Sequence, residues 1–374
     1  MFYEIPHVQT QDSFGALKGI SFFKEKEMDA SEIFSFENLM DAHKQCRLGK
    51  QHKRGTIMFE IEQGRYLSKL ADELAKKTYR LGKYKSFTIY DPKKRLIEAL
   101  PYKDRVVLMC FCRQVLEPRL EKRLIYDNAA SRIGKGTAFA IGRLHSFMRK
   151  LYINSGHNGA YFLKCDIAKY FQNIDHQILL EKLCRCGFSA DEMWFLEMLI
   201  DSHQAKGVPL GNQTSQWFAL LYLDEVDRLI KERLRVRYYI RYMDDFVLLS
   251  EDKFFLQKCL AEIKRVCEEN LGLRLNDKTQ IGKLKNGLDF LGFNHKLTAS
   301  GKIEKKVRAS AKRRRRRYIK TISRCYLAGI VDDAYLNIRM STFKAHLDGT
   351  VEWKYVRNRL SQLKHICRRQ RLRQ

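Results

Sequence analysis

Two adjacent aspartates, Asp244 and Asp245, constrain this chain more than any other feature of its sequence. They lie between two strand-like runs, residues 235–241 and 246–249, which places them at a turn between antiparallel strands. Two neighbouring carboxylates repel each other, and such a pair usually persists because a divalent cation binds it. Asp166 follows a further strand-like run and offers a third carboxylate. The pattern therefore predicts a sheet whose strand ends gather acidic groups for Mg²⁺-dependent phosphoryl transfer.

The chain is strongly basic. Its 374 residues include 71 Lys and Arg against 43 Asp and Glu, a formal net charge of +28. With 45% hydrophobic and 30% charged residues, the composition is that of a globular protein with a substantial core. No basic amphipathic helix with an aromatic apolar face points to a membrane surface. We therefore expect the excess charge to contact the phosphates of a nucleic acid.

Cellular location is predicted from what the sequence lacks. No apolar run approaches the ~18 residues needed to cross a bilayer, and the first residues do not form a secretory signal. The ten Cys are scattered, and the pairs at 110/112 and 184/186 are only C-x-C, which disfavours a zinc site. We expect reduced, mostly buried thiols in a cytoplasmic protein that has no membrane partner.

Strand-like and helical patterns alternate along the chain. Helices are predicted from residue 36 onward, at 66–77, 103–123, 138–154, 176–186, 190–203, 213–234 and 253–270, and throughout the chain after residue 305. Strands are predicted at 85–90, 95–100, 160–166, 235–250, 271–282 and 288–297, and residues 1–35 are expected to be irregular. The order predicts an α+β fold in which helices pack on an antiparallel sheet.

The last 70 residues differ in character from the rest. Between Lys302 and Lys320 there are eleven basic residues and one acidic residue. The densest run is Lys312, Arg313, Arg314, Arg315, Arg316 and Arg317. Such a run wraps round a helix, and its like charges repel at i,i+4 spacing unless a polyanion lies nearby. We expect it to clamp a nucleic-acid backbone, the alternatives being a nuclear-type address or a solvated helix face.

Five segments occur in the order and approximate spacing of reverse-transcriptase motifs. They are DIAKYF at 166–171, GVPLGNQTSQ at 207–216, YMDD at 242–245, NDK at 276–278 and LDFLG at 288–292. The chain resembles bacterial and phage reverse transcriptases related to those of group II introns and retrons. It is particularly similar to the enzymes of diversity-generating retroelements and of the unknown, often defence-associated, group. The similarity runs from about residue 85 to 297.

The resemblance implies a right-hand polymerase fold. Its expected parts are an N-terminal extension at 1–35, fingers with part of the palm at 36–159, a palm with the catalytic site at 160–297 and a basic helical thumb at 298–374. The activity implied is that of an RNA-directed DNA polymerase with two Mg²⁺ ions, for which Mn²⁺ can substitute. No endonuclease, RNase H or integrase cluster follows residue 300.

The same resemblance assigns the catalytic residues. Asp166 and Asp244 would bridge the ions, Asp245 would complete the site, and the backbone carbonyl of Ile167 would add a ligand. Lys278 aligns with a family lysine thought to protonate the leaving pyrophosphate, as a general acid. The alternatives are that the aspartates only cap turns and that Lys278 is an ordinary surface lysine.

Residues that would bind the nucleotide are also implied. Arg132 and Lys135 fit the fingers loop that grips the incoming triphosphate, although a generic surface loop is the alternative. Phe171 stands where the family places the steric gate that rejects a 2′-hydroxyl, and the alternative is a core residue. If Phe171 is the gate, the product is DNA.

One departure from the common pattern lies at Leu210 and Gly211. Most reverse transcriptases have Gln-Gly there, and the Gln packs against the nascent base pair. Retroelements that diversify genes carry an aliphatic residue with Gly, followed by Ser-Gln, here ending at Gln216, and low fidelity is linked to this pattern. Loss of a polar contact worth ~1 kcal/mol would loosen discrimination several-fold. The primer grip is expected at Phe290, Leu291 and Gly292.

The expected partners are an RNA template, a DNA primer with its cDNA product, and dNTPs. A structured non-coding RNA is the expected template, and a mutagenic retroelement would add a small basic accessory protein. The segment 207–216 favours a diversifying role, while the N-terminal 35 residues and the helix at 106–111 leave an antiphage defence role open. A catalytically silent RNA-binding protein on a polymerase scaffold is a third interpretation, since fold does not fix function.

Overall fold

The computed structural model describes residues 28–90, 94–157, 159–204 and 206–371, without the side chains of residues 310, 346 and 364–371. Most of the predicted N-terminal extension, and residues 91–93 between the two strands predicted at 85–90 and 95–100, therefore lie outside the described residues. The α+β class predicted from the sequence is confirmed. Within the described segments, no helix is both long and apolar enough to cross a membrane.

Four helices precede the first strands. They are α1 (Ala30–Ile33), α2 (Phe36–Arg47), α3 (Arg54–Ile61) and α4 (Gln63–Ala75). Asp29 and Ser35 cap α1 and α2 by accepting hydrogen bonds from backbone amides in the first turn. Leu67, Leu70 and Leu74 form the buried stripe of α4 at helical spacing. Residues 1–35 are predicted to be irregular, and this is wrong for 30–33, which form α1. The side chains of Ala30 and Ile33 repeat at helical spacing and are buried in the main core.

A hairpin and a long interrupted helix follow. The elements are β1 (Lys85–Ile89), β2 (Arg95–Ala99), α5 (Tyr102–Phe111), a π-helical turn (Cys112–Leu116), α6 (Glu117–Glu121) and α7 (Thr137–Ser155). The two strands pair antiparallel. The helix predicted over 103–123 is confirmed, with one π-helical turn between α5 and α6. The loop between α6 and α7 contains both residues predicted to grip the triphosphate.

The palm is built on a four-stranded antiparallel sheet. Its strands are β3 (Tyr161–Asp166), β4 (Tyr238–Tyr242), β5 (Asp245–Ser250) and β6 (Gln280–Lys283), in the spatial order β4-β5-β3-β6. Phe162 and Val247 face α7 on one side of the sheet. Leu163, Phe246 and Leu248 face the main core on the other. The centre of β5 is thus apolar on both faces, and its carboxylate, Asp245, lies at the strand end.

The helices packed around the palm sheet are more broken than predicted. They are α8 (Tyr170–Asn173), α9 (His176–Cys184), α10 (Ala190–Asp201), α11 (Gln213–Tyr222), α12 (Asp224–Arg228) with a π-helical turn (Leu229–Arg233), and α13 (Lys253–Glu269). The single helix predicted over 213–234 is wrong, because Leu223 leaves the helical conformation with φ −92° and ψ 6°. Asp252 caps α13 as a helix-start residue should.

A small sheet and three helices complete the chain. The elements are a 3₁₀ turn (Leu284–Asn286), β7 (Leu288–Phe290), β8 (Phe293–Leu297), β9 (Ile303–Val307), α14 (Ala309–Leu327), α15 (Asp333–Leu347) and α16 (Val351–Arg371). The prediction that everything after residue 305 is helical is wrong for 306 and 307, because they belong to β9, which pairs with β8. Phe293 of β8 packs into the core of the three helices, which ties the small sheet to the thumb.

Candidate active site

The paired aspartates lie at a tight hairpin turn between β4 and β5. Tyr242 pairs with Asp245, so Met243 and Asp244 form a two-residue turn. Met243 has a φ of 56°, in the left-handed region, where a non-glycine residue costs of order 1–3 kcal/mol. The guanidinium of Arg241 donates a hydrogen bond to the Met243 carbonyl at 3.2 Å and helps to hold the turn. Arg241 is itself fixed by a buried bidentate ion pair with Asp227, at 2.6 and 2.8 Å.

The sheet register brings the distant aspartate to the pair. Asp166 at the end of β3 is the direct cross-strand partner of Asp245 at the start of β5. Directly paired residues project on the same face of a sheet, with Cβ atoms ~5 Å apart. The pKa of Asp245 is raised to about 6, chiefly by burial; the Lys164 ammonium opposes the rise, and the charges of Asp166 and Asp244 add to it. The three carboxylates thus form one electrostatic unit at the edge of the palm.

Lys164, which was not predicted to be a site residue, contacts these carboxylates through Asp245. The Lys164 ammonium lies 3.2 Å from Oδ2 of Asp245 and donates a 2.7 Å hydrogen bond to the backbone carbonyl of Asp289. The other carboxylate oxygen of Asp245, Oδ1, is buried and has no hydrogen-bond partner within the described part of the chain. An unpartnered buried carboxylate oxygen is costly unless a cation or donor meets it.

The donor set fits a hard divalent cation, because magnesium prefers carboxylate and carbonyl oxygens. The unpartnered Oδ1 of Asp245 and the register opposite Asp166 agree with that fit. The carboxylates are not drawn together into a ready-made cage, since no three His, Cys, Asp or Glu side chains among the described residues are grouped closely enough to hold an ion.

Two further residues predicted for catalysis lie beside Asp166. Ile167 forms an antiparallel bridge with Leu275. The two hydrogen bonds of this bridge are made by the residues on either side of Ile167, so they do not use the Ile167 amide or carbonyl. One of them runs from the Asn276 amide to the Asp166 carbonyl at 2.7 Å. Lys278 is exposed in the turn that follows, where its amide donates to the Asn276 side chain. The structure thus places Lys278 next to the strand that bears Asp166.

The fingers loop is folded inward. The Arg132 guanidinium forms a bidentate pair with Glu121, at 2.5 and 2.7 Å, and also donates to backbone carbonyls. The Lys135 ammonium donates to the Tyr126 carbonyl at 2.6 Å and lies 4.6 Å from the centre of the Tyr126 ring. Burial and the nearby Arg132 charge lower the pKa of Lys135. Both cations contact the protein itself here, so a triphosphate would have to replace those contacts.

Phe171 is half-buried on α8. Its ring lies 5.7 Å from that of Tyr170 in an edge-on arrangement, and it packs against the main core. The Phe171 carbonyl accepts a hydrogen bond from the Val208 amide at 2.8 Å, which joins α8 to the segment 207–216. Part of the ring surface therefore packs against the core, and the rest is exposed to solvent. Both the gate interpretation and the core interpretation are compatible with this position.

Leu210 and Gly211 form a turn against the fingers hairpin. The Leu210 carbonyl accepts a hydrogen bond from the Glu98 amide of β2 at 3.0 Å. Gly211 has a φ of 146°, and a Cβ added there would lie 2.6 Å from the Glu98 carbonyl oxygen. Only glycine fits such a position. Gln216, one helical turn into α11, accepts a hydrogen bond from the Ser131 hydroxyl at 3.2 Å and so links α11 to the fingers loop.

Comparison with known proteins decides the family. A family model described as reverse transcriptase (RNA-dependent DNA polymerase) matches residues 66–295, which is more than half of the chain. The chain belongs to the reverse transcriptase family. Members of this family are RNA-directed DNA polymerases, which are nucleotidyltransferases. No curated protein matches the chain.

Solved telomerase structures are also similar to this chain. Apo telomerase from Candida tropicalis, truncated from its C-terminal domain, has a TM-score of 0.48 and 16% identity, covering 60% of this chain and 55% of that one. Telomerase from Candida albicans, in complex with a TWJ fragment of telomeric RNA, has a TM-score of 0.48 and 15% identity, covering 77% and 61%. The chain spans less than two thirds of either protein.

The segment predicted as primer grip is a second tight hairpin. Phe290 pairs with Phe293, and Leu291 and Gly292 form the turn with φ values of 46° and 87°. Two consecutive positive φ values match the twist of an antiparallel ribbon. Phe290 is fully buried, and nothing lies within 4 Å of a Cβ built on Gly292. A side chain at Gly292 would thus meet no close neighbour among the described residues, whereas Leu291 packs against the apolar cluster between α7 and the palm sheet.

The basic run lies on α14, where some of its cations contact α16 and others are exposed. Lys312 and Arg316 both contact Glu352 of α16, at 3.4 and 3.3 Å. Arg315 is half-buried, and burial lowers the pKa of its guanidinium. Arg313 and Arg317 are exposed. Two cations of the run therefore help to join α14 to α16, and the contact of the six with a nucleic-acid backbone stays a prediction.

A cleft of about 800 Å³ lies between α14 and α16. Its cationic lining consists of Arg316, Arg317, Lys320, Arg324 and Arg359, and Tyr355 lies among them. Apolar side chains, including Ile319 and Leu363, form its floor. In proteins that bind single-stranded nucleic acid, cationic side chains contact the phosphates and aromatic rings stack on the bases.

Lys164 and Glu352 were missed by sequence reasoning, for different reasons. Lys164 could have been found, because it precedes Asp166 by two residues on a strand and must share its face. Glu352 gave no signal in the sequence, since its contacts depend on how α16 packs against α14.

Proposed function

We propose that this chain is an RNA-directed DNA polymerase that copies an RNA template into cDNA, with Asp166, Asp244 and Asp245 as ligands of two divalent cations. One observation carries the proposal: the register sets Asp166 opposite Asp245, beside Asp244, and one buried oxygen of Asp245 has no hydrogen-bond partner among the residues that the structure describes. When bound, two Mg²⁺ or Mn²⁺ ions would activate the primer 3′-hydroxyl and neutralise the leaving pyrophosphate.

The chain's own residues prepare the site for that chemistry. The guanidinium of Arg241 donates to the Met243 carbonyl and helps to hold the turn that carries Asp244, so an ion would have to draw together side chains that the strands already bring near one another. The Ile167 carbonyl is not used by the bridge to Leu275, which supports its role as a further ligand. Lys278 is exposed beside the β3 end, where its ammonium could give a proton to pyrophosphate.

Selection of the nucleotide is assigned to two positions. The half-buried Phe171 is the proposed steric gate, so that deoxynucleotides are favoured. Leu210 and Gly211 would lie against the nascent base pair, and their turn is anchored to the fingers through Glu98. Arg132 and Lys135 are proposed to contact the triphosphate after release from Glu121 and Tyr126.

The primer and template would lie along the basic side of the molecule. The Leu291–Gly292 turn is the proposed primer grip. The exposed cations of α14 and the cleft beside α16 would contact the phosphates of a template–primer duplex. An RNA·DNA hybrid has a wide, shallow minor groove, which suits contacts that depend on shape rather than sequence.

Primer extension tests the proposal directly. A DNA primer annealed to an RNA template should be extended with dNTPs in Mg²⁺ or Mn²⁺, and poorly with ribonucleotides. Substitution of Asp244→Ala with Asp245→Ala should abolish extension, whereas Asp201→Asn, an exposed aspartate at the end of α10, should not. Melting curves verify that the variants are folded. Extension that survives the double substitution would refute the site, and an inactive wild-type protein that still binds RNA would favour a silent binding protein.

For biological role, we propose a diversity-generating retroelement enzyme of low fidelity. Its support is the aliphatic Leu210 in place of glutamine, in the turn that contacts β2. The variant Leu210→Gln should misincorporate several-fold less often, above all opposite template adenine, because a polar contact of ~1 kcal/mol is restored. Equal error rates in the two proteins would contradict this. Sequencing the nucleic acid that co-purifies with the protein would identify the template, and a dedicated non-coding RNA made upon phage infection would favour the defence role.

A further inference from the structure

We propose that Lys164 is a positioning residue, a built-in counter-cation of Asp245 that also tethers the primer-grip hairpin to the catalytic strands. The inference rests on the proposed function, because it takes Asp245 as a metal ligand and the hairpin at 291–292 as the primer grip. It adds a residue that lies outside the five segments quoted above.

The first support is the direction of the side chain. Lys164 and Asp166 are two residues apart on β3, and Asp245 is the cross-strand partner of Asp166, so all three project from the same face of the sheet. Lys164 is only 9% exposed. Lysines are almost never buried unless paired, because an unpaired buried ammonium loses its hydration. The position is therefore maintained by what the ammonium contacts.

The second support is the nature of those contacts. The Lys164 ammonium lies 3.2 Å from Oδ2 of Asp245, while Oδ1 is the oxygen without a partner among the described residues. One oxygen is thus neutralised by the lysine and the other is left for an added ligand. A fixed positive charge at this distance must also weaken the binding of any further cation to the same carboxylate.

The third support is a continuous path from the lysine to the primer grip. The Lys164 ammonium donates to the Asp289 carbonyl at 2.7 Å, and Asp289 belongs to β7, directly before the hairpin turn. The Asp289 side chain accepts a hydrogen bond from Asn294 of β8 at 2.9 Å and lies 3.2 Å from Nε of Arg308. The Arg308 amide donates in turn to the Gly292 carbonyl at 3.4 Å.

Lys164→Met tests both parts of the proposal, because Met keeps the length of the stem and removes the charge. Magnesium is titrated against the melting temperature of the protein alone, without nucleic acid, since a ligand that binds the native state raises that temperature. The half-saturating magnesium concentration should fall by roughly three- to tenfold in Lys164→Met, because a competing charge has been removed. Lys164→Arg should retain the wild-type value.

Steady-state extension tests the tether. Lys164→Met should raise the KM for the primer–template more than it lowers kcat, and Lys164→Arg should recover much of the primer affinity. The matched control is Lys283→Met, an exposed lysine of β6 in the same sheet, whose ammonium lies over the Tyr161 ring at 5.8 Å and should affect neither measurement. Asp245→Asn should remove the magnesium response itself.

The outcomes separate this inference from the proposed function. An active wild-type enzyme whose magnesium titration and primer KM are both unchanged by Lys164→Met would overturn the role of Lys164 alone. A half-saturating concentration that rises instead of falling would overturn the counter-cation. A wild-type protein with neither extension activity nor a magnesium response would overturn the proposed function and this inference together.

Discussion

The palm and the thumb differ in how they hold their charges. In the palm, charged side chains are buried in matched pairs: Arg241 and Asp227 both have fully buried side chains, and Lys164 is paired with Asp245. In the thumb, a single carboxylate, Glu352, contacts two partly exposed cations, and further cations of α14 face solvent.

This difference determines how each region should respond to the loss of a charged side chain. A buried pair in the palm cannot lose one member without leaving an uncompensated charge in a low dielectric. An exposed cation in the thumb can be lost with little effect on folding, since it is hydrated, but its attraction for phosphates goes with it. Changes in the palm should therefore alter activity or stability, and changes in the thumb should alter salt-dependent binding.

The largest expected effect is the loss of activity in Asp166→Asn. Extension should fall by at least about a thousandfold, because metal-bound carboxylates supply several kcal/mol of transition-state stabilisation. Stability should change little, because Asp166 lies at a strand end and is only half-buried. Single-turnover extension and a melting curve measure the two effects. Glu251→Gln, directly after β5, is the matched control, and a fully active Asp166→Asn enzyme would contradict the site.

The hairpin and the strand-end aspartate could be predicted from sequence because both depend on local pattern. Apolar runs of strand length flank Asp244 and Asp245, and the observed strands Tyr238–Tyr242 and Asp245–Ser250 lie in the predicted hairpin. The register that pairs Asp166 with Asp245 is not local, but it follows once both strands enter one antiparallel sheet.

Other parts could not be read from local pattern. The break at Leu223 and the strand at 303–307 depend on tertiary packing, which overrides a helical periodicity. The inward fold of Arg132 onto Glu121 joins residues eleven apart through a loop that has no periodicity. The roles assigned to Lys278, Phe171 and the primer grip depend on bound nucleic acid and stay predictions.

The next effect in size is on folding. Arg241→Met should lower the free energy of unfolding by about 3–5 kcal/mol, because it leaves the Asp227 carboxylate buried without its charged partner and frees the Met243 carbonyl. Urea denaturation measures the change. The double variant Arg241→Met with Asp227→Leu removes both charges and should recover part of the loss. A single variant as stable as the wild type would show that the palm does not depend on matched burial.

The equivalent change in the thumb should be smaller. Glu352→Gln removes the carboxylate that Lys312 and Arg316 share, but those cations are 40% and 46% exposed and can turn to water. We expect a loss of about 1 kcal/mol in the free energy of unfolding, the usual size for partly exposed pairs. The same urea experiment measures it. A loss as large as that of Arg241→Met would erase the contrast between the two regions.

The smallest effect on stability, and the most specific effect on binding, is expected for Arg317→Gln. Arg317 is exposed and lines the cleft between α14 and α16. Its loss should leave the melting temperature unchanged and weaken binding of an RNA·DNA hybrid at low salt. The slope of log affinity against log salt concentration should fall in magnitude by about one, because one phosphate contact is lost.

Fluorescence anisotropy over a range of salt concentrations measures that slope for Arg317→Gln. Lys69→Gln, an exposed lysine on α4 that is 70% exposed and pairs with Glu73, is the matched control and should leave the slope unchanged. Arg241→Met, measured below its unfolding temperature, should also keep the wild-type slope, since its guanidinium is inaccessible to phosphate. An unchanged slope in Arg317→Gln would mean that the thumb cleft does not contact the nucleic-acid backbone. A polyanion would then have to contact α14 outside this cleft, because like charges at i,i+4 spacing repel each other when no polyanion offsets them.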